Sequence, residues 1–247
     1  MHLNRKKYNK KYYLIGKGSN VLFAKNYYDA ILVKFMPIKN RYLNIINAGD
    51  SLNYINNNYL KEGISSLDFL CGVPCSVGGA IFMNAGAYNQ SMSDIIEYVY
   101  CFDINDEKFK VLDTKQCEFS YRKSCFFYSN MCILGAKIRL EYLDILTLKR
   151  LHEKRLKLRK EKLPLEYPSL GSIFKNPEGN KAGELIEKSG LKGLKISGSM
   201  ISEKHANVIV KFDECKGEDI IRLIEIIKEE IYMKYKINLE EEIIVFK

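Results

Sequence analysis

The chain has no Cys-x-x-Cys pair, few histidines and no apolar run long enough to cross a membrane. Each shortage removes a class of function. Its seven cysteines, at 71, 75, 101, 117, 125, 132 and 215, are scattered and odd in number. They suggest neither a disulfide framework nor a metal site, and reduced thiols in a cytoplasmic protein fit best. The three histidines are His2, His152 and His205. His2 is terminal and His152 lies in a basic segment, so a serine hydrolase would lack a good base. The flanks of Ser172 are also not those of a Gly-x-Ser-x-Gly elbow. With no membrane-length run and no apolar N-terminal core, neither a membrane anchor nor a secretory leader is expected.

What is present is a chain of 247 residues, enough for one large domain or two modest ones. Its 39 basic and 30 acidic residues leave a net charge of +9. That excess fits a polyanionic ligand or partner. It also fits a lysine-rich composition with no binding role. Short strands are expected at Leu14–Ile15, Ile31–Phe35 and Tyr42–Ile46, and a strand pair at Ile95–Phe102 and Phe109–Leu112. Cys132–Tyr142 is rich in β-formers. Ser51–Leu60 reads as a helix with Leu52, Ile55 and Tyr59 on one face and Gly63 just beyond its end. Asp144–Lys162 reads as an amphipathic helix with a solvated basic face, and no nucleic-acid partner is expected from it. It also marks the expected domain boundary, dividing the chain into 1–143 and 144–247. Beyond it, Ala182–Lys188 and Asp219–Lys236 read as helices, and Ala206–Val210 and Ile243–Phe246 as strands.

The most informative stretch is Gly72–Tyr88. Its glycines (Gly72, Gly78, Gly79, Gly86) admit positive φ and bring backbone close to a ligand. Such a run suits a loop whose peptide N–H groups face an anion such as a pyrophosphate. Upstream, an apolar strand breaks into Gly16-Lys17-Gly18-Ser19-Asn20, a second candidate of the same kind. Further on, Tyr121-Arg122-Lys123-Ser124 sets an arginine able to pair with a carboxylate among hydroxyl and aromatic groups. Gly171-Ser172-Ile173-Phe174-Lys175-Asn176-Pro177 is expected to be a rigid loop presenting the Ser172 hydroxyl. Ser202–Asn207 packs polar groups before a strand. In Leu239-Glu240-Glu241-Glu242, strand alternation would turn one carboxylate inward.

Taken in this order, these motifs closely resemble the UDP-N-acetylenolpyruvoylglucosamine reductase family, in its shorter type II form, over nearly the whole chain from about residue 12. The resemblance implies an α+β fold: an FAD-binding lobe of the vanillyl-alcohol-oxidase (PCMH) type followed by a smaller α/β substrate-binding domain. It implies FAD and NADPH as cofactors, UDP-N-acetylenolpyruvoylglucosamine as substrate and a cytoplasmic location. FAD would be bound by Gly16, Gly18, Ser19 and Asn20 and by Gly72, Ser76, Gly78, Gly79, Asn84 and Gly86. Arg122, Ser172 and Glu242 fall on the family's catalytic arginine, proton-donating serine and glutamate. Lys162 and Asn176 fall on positions that hold the diphosphate.

Three departures accompany the resemblance. The chain begins just before Gly16, where the family carries a further strand–turn–helix with a Thr-x-x-x-Gly-Gly segment. An N-terminally short chain is therefore expected, and an inactive fragment that keeps UDP-sugar binding is the alternative reading. Cys75 stands at a usual glycine, which would cost on the order of 1 kcal/mol if φ there is positive. Asn89 also replaces a glycine, but asparagine tolerates left-handed backbone.

Overall fold

The computed structural model describes residues 10–38 and 42–246; His2 lies outside them. In chain order the elements begin with β1 (Lys11–Leu14), β2 (Val21–Phe23), β3 (Ala30–Val33) and β4 (Ile45–Asn47). Helix α1 (Leu52–Lys61) and a 3-10 turn (Asp68–Leu70) lead to α2 (Val77–Phe82), β5 (Gly86–Ala87), β6 (Gln90–Ser91) and α3 (Met92–Ile95). Then come β7 (Ile96–Asp103), β8 (Lys108–Asp113), β9 (Met131–Ile138) and the long α4 (Ile145–Lys162). The remainder is β10 (Ser169–Ser172), α5 (Ala182–Lys188), β11 (Lys195–Ile196), β12 (Ser199–Ile201), β13 (Val208–Lys211), α6 (Gly217–Tyr235) and β14 (Ile244–Phe246).

These elements form two compact units. One comprises the chain up to Lys17 together with Asp29–Leu156; the other comprises Gly18–Tyr28 and everything from Lys157 onward. The division thus falls inside α4, and an early segment carrying β2 belongs with the C-terminal part.

In the first unit an antiparallel sheet runs in the order β4-β9-β7-β8. Alternation along β7 sends Val99 and Cys101 into the core, while Tyr98 is exposed on the other face. Helix α1 presents Leu52, Ile55 and Tyr59 to that core, as its spacing predicts, and stops before Gly63 at φ +70. Val77, Ala80 and Ile81 of α2 and Met92 and Ile95 of α3 complete it. Alongside, β1 and β3 pair in parallel.

In the second unit the antiparallel order is β10-β13-β12-β11. Val208, Ile209 and Val210 of β13 are all buried, so this strand is covered on both faces. Leu223, Ile224, Ile227 and Ile231 form the apolar stripe of α6 that packs into the same core. The closing strand β14 pairs in parallel with β2. Because Val21–Phe23 is too short to carry a pattern of its own, its partner 223 positions away is not legible in the sequence.

Two expectations change. Gly72–Tyr88 is not a continuous loop: Ser76 caps α2 by accepting from Gly79 N. The serine segment is likewise strand, since Ser169 and Ser172 of β10 pair with Val210 and Val208.

The seven thiols form no disulfide. Burial raises the Cys101 and Cys132 thiols to about 11 and the Cys117 thiol to about 12. At pH 8 these groups carry almost no thiolate, the reactive form. Iodoacetamide at that pH should therefore leave Cys101, Cys117 and Cys132 unmodified until denaturant is added, as read by peptide mass spectrometry.

Candidate active site

In the first unit, three side chains lay the Ser120–Ser124 turn across the glycine-rich segment. Asn84 Nδ2 donates to Ser120 O at 3.0 Å, while its Oδ1 accepts from Ser93 N at 2.9 Å. Ser124 Oγ donates to Phe82 O at 2.7 Å. Arg122 Nη2 donates to Gly86 O at 2.9 Å. The turn is tight: Ser120 and Lys123 exchange backbone hydrogen bonds of 3.1 and 3.2 Å. Arg122, at its second central position, has φ 57. A non-glycine residue in that region is held there by its surroundings at some cost in free energy, a common mark of functional positions.

Three of the N–H groups expected to face an anion are engaged elsewhere. Val77 N donates to Asp50 O at 3.0 Å, Gly78 N to Ala48 O at 2.9 Å and Gly79 N to the Ser76 hydroxyl at 3.3 Å. The glycines serve close approach instead. A Cβ at Gly78 would stand 3.0 Å from that of Ala48, and one at Gly16 would meet Ser76 Oγ at 2.4 Å. Gly16 therefore packs directly on the Ser76 side chain, with no room for a Cβ of its own. Lys17 Nζ donates to Ser51 Oγ at 2.6 Å beside it. Gly72 has φ +72, whereas Cys75 is not among the positive-φ residues. Cysteine therefore costs no backbone strain where glycine is usual. Asn89 does adopt φ 60, as its side chain permits.

In the second unit, the Glu242 segment is hydrogen-bonded to the residues that follow Ser172. Glu242 N donates to Ile173 O at 2.7 Å, Lys175 N to Glu240 O at 2.9 Å, and Phe174 bridges Glu241. Asn207, only 4% exposed, locks the same strand. Its Nδ2 donates to Phe174 O at 2.8 Å, and its Oδ1 accepts from Phe174 N at 2.9 Å. Asn20 Nδ2 donates to Glu242 O at 3.0 Å, so this member of the first glycine turn braces the glutamate segment. Gly18 and Ser19 precede it in the same unit. Glu240 and Glu241 pair with Lys175 and Lys228, at 2.5 and 2.9 Å. Asn176 Oδ1 accepts from Ala182 N at 3.0 Å at the start of α5, and Lys162 is exposed as the last residue of α4. His205 accepts from Asn207 N through Nδ1, and burial lowers its pKa.

Residues 163–246 match the family model described as UDP-N-acetylenolpyruvoylglucosamine reductase, C-terminal domain, and residues 5–112 match an FAD binding domain. The UDP-N-acetylenolpyruvoylglucosamine reductase of Caldanaerobacter subterraneus subsp. tengcongensis is 37% identical over 236 residues, spanning 94% of this chain and 78% of the relative. The chain belongs to the UDP-N-acetylenolpyruvoylglucosamine reductase family. Its counterpart from Clostridium botulinum strain Hall is 37% identical over 94% of this chain and 77% of its own. The crystal structure of the Thermus caldophilus reductase superposes with a TM-score of 0.83 at 28% identity, covering 99% of this chain and 88% of that one. The α+β chain is thus an FAD-dependent oxidoreductase of a family that uses NADPH, built from an FAD-binding domain and the family's C-terminal domain. Among the described residues no helix is long and apolar enough to cross a membrane.

The sequence assigns no individual role to Asn207 within Ser202–Asn207 and sets His152 aside as a base. A polar residue between buried strand positions was the available signal for Asn207. For His152 it was the spacing Leu148, His152, Arg155 along one helix face. Removing the Asn207 amide strands a buried N–H and C=O of Phe174. Asn207→Ala should lose about 2–4 kcal/mol of stability in urea unfolding, with a visible fall in the midpoint.

Proposed function

We propose that the chain reduces UDP-N-acetylenolpyruvoylglucosamine to UDP-N-acetylmuramate at the expense of NADPH, a step in making peptidoglycan precursors. The observation carrying this reading is the hydrogen bond from Glu242 N to Ile173 O, which sets the glutamate segment against the strand ending in Ser172. A hydroxyl and a carboxylate held by backbone, rather than on separate flexible loops, suit a proton transfer that needs fixed geometry.

The residues that would hold FAD are Gly16, Gly18, Ser19 and Asn20, with Gly72, Ser76, Gly78, Gly79, Asn84 and Gly86. The close packing of Gly16 on the Ser76 side chain, which brings the two glycine segments together, supports this assignment. For Asn84 the support is indirect, because both ends of its amide already hold backbone groups; its role would be to brace the segment. Bound FAD, once reduced by NADPH, supplies hydride equivalents for the vinyl carbon of the enolpyruvyl ether.

Addition at that carbon leaves negative charge on its neighbour, delocalised into the substrate carboxylate. Arg122 stabilises this charge through a guanidinium already oriented by the Gly86 carbonyl. Ser172 Oγ donates the proton that forms the new C–H bond. A serine hydroxyl is a weak acid, but a carbanion-like centre is a far stronger base. Glu242 would complete the polar cluster around that charge, its backbone fixed by Ile173 and Asn20. Lys162 and Asn176 are assigned to the diphosphate. The Asn176 side chain is fixed at the start of α5, its oxygen accepting from Ala182 N.

The test separates the half-reactions. Ser172→Ala should leave flavin reduction by NADPH intact in stopped-flow absorbance. Reoxidation by the enolpyruvyl nucleotide should slow by roughly 10²–10⁴-fold, the usual effect of removing a general acid. Normal reoxidation would refute the serine's role, and absence of any nucleotide-dependent turnover in the parent enzyme would refute the reaction itself.

A further inference from the structure

Outside these residues the first unit contains a buried polar cluster for which the mechanism has no use. Asp68, in the 3-10 turn, is 2% exposed, and His152 of α4 is 7% exposed. Asp68 Oδ1 lies 2.5 Å from His152 Nδ1, and Oδ2 accepts from Arg155 Nη1 at 2.6 Å. Arg155 is itself largely covered, with 14% of its side chain accessible. With Cys71, Asp68 and His152 bring three metal-capable atoms within 4.8 Å. Both carboxylate oxygens, however, already face donors, one of them a guanidinium. The cluster is therefore a carboxylate shared between two donors, not a cation site.

Beyond Asp68, the Arg155 guanidinium lies over the Tyr88 ring, 4.7 Å from its centroid. Tyr88 and Asn89 are the two residues joining β5 to β6, with Ala87 paired to Gln90. Their φ values are 54 and 60. Positive φ at both central positions is the hairpin geometry that favours Asn-Gly. A tyrosine at the first of them goes against local preference and needs support from outside the turn. Arg155 supplies it. Two residues before Tyr88, on the same ribbon, Gly86 O accepts from Arg122 Nη2. The turn that carries Asp68 also packs against β5.

We propose that Asp68, His152 and Arg155 form a positioning relay: through the Tyr88 ring they set the β5–β6 ribbon, and the Gly86 carbonyl of that ribbon aims Arg122. The relay rests on the catalytic role proposed above for Arg122. Asp68, His152, Arg155 and Tyr88 are positioning residues, since they act through Gly86 and Arg122.

The experiment follows Arg122 directly. In the full chain labelled with ¹⁵N-arginine, the Arg122 side-chain Nε–Hε signal is assigned by its loss in Arg122→Lys. Arg155→Met and Tyr88→Leu should each move that signal. Each should also lower kcat with the enolpyruvyl nucleotide by on the order of ten-fold, leaving KM for NADPH unchanged. The double variant should be no worse than either single one, because both break the same link. Tyr88→Phe, which keeps the ring, should restore both readouts. Asp68→Asn should reproduce Arg155→Met; if it does not fold, the two variants at Arg155 and Tyr88 still decide. An unmoved Arg122 signal, or losses that add in the double variant, would overturn the relay. So would a lower melting temperature with the Arg122 signal unchanged, which marks a purely structural cluster. If the signal responds as expected but the parent enzyme does not turn over the nucleotide, the proposed reaction fails and the relay stands.

Discussion

A buried asparagine that both donates to and accepts from backbone is the constraint on which each reactive segment depends. Asn84 does this in the first unit, joining Ser120 O to Ser93 N. Asn207 does it in the second, closing on Phe174 N and O. Both are about 5% exposed or less. In such surroundings an amide hydrogen bond is stronger than in water, and leaving one end unmade is costly. The chain can satisfy these amides only with the Arg122 turn and the Ser172 strand in one arrangement. Side chains with no proposed part in the chemistry thereby set the geometry of those assigned one.

The same principle explains why strained backbone persists where it does. Arg122, Tyr88 and Asn89 all have φ between 54 and 60. Each lies in a turn tied down from outside: Arg122 by Asn84, Ser124 and Gly86, and Tyr88 by Arg155. The local cost is of order 1–3 kcal/mol per residue and is offset by contacts the turn itself does not make. Rigidity at Arg122 suits the role proposed for it, because a cation stabilises developing charge most when it does not have to reorganise.

The glycine-rich segment lies within the FAD binding domain but differs locally from its sequence pattern. Its sequence suggests an open loop with N–H groups free for an anion. Its centre is instead a capped helix whose first N–H groups bind Asp50, Ala48 and Ser76. The glycines still mattered, through contact distance at Gly16 and Gly78 rather than through donors aimed at a ligand. His152 is the converse case. It was set aside as part of a solvated basic face, yet it is buried on Asp68, a partner 84 residues away that no local pattern discloses.

Periodicity alone determined α1, α6 and the β7–β8 pair, because burying one face of a regular element writes its period into the chain. Ordered motifs likewise carried the family, the flavin and the candidate residues. Tertiary structure alone decided that Gly18–Tyr28 joins the C-terminal unit, that Asn20 braces Glu242, and that Asp68, His152, Arg155 and Tyr88 form one cluster. The reason is physical. Pairing of short strands, and hydrogen bonds between residues tens to hundreds of positions apart, are selected by the free energy of the whole packed core. No window of sequence contains both partners.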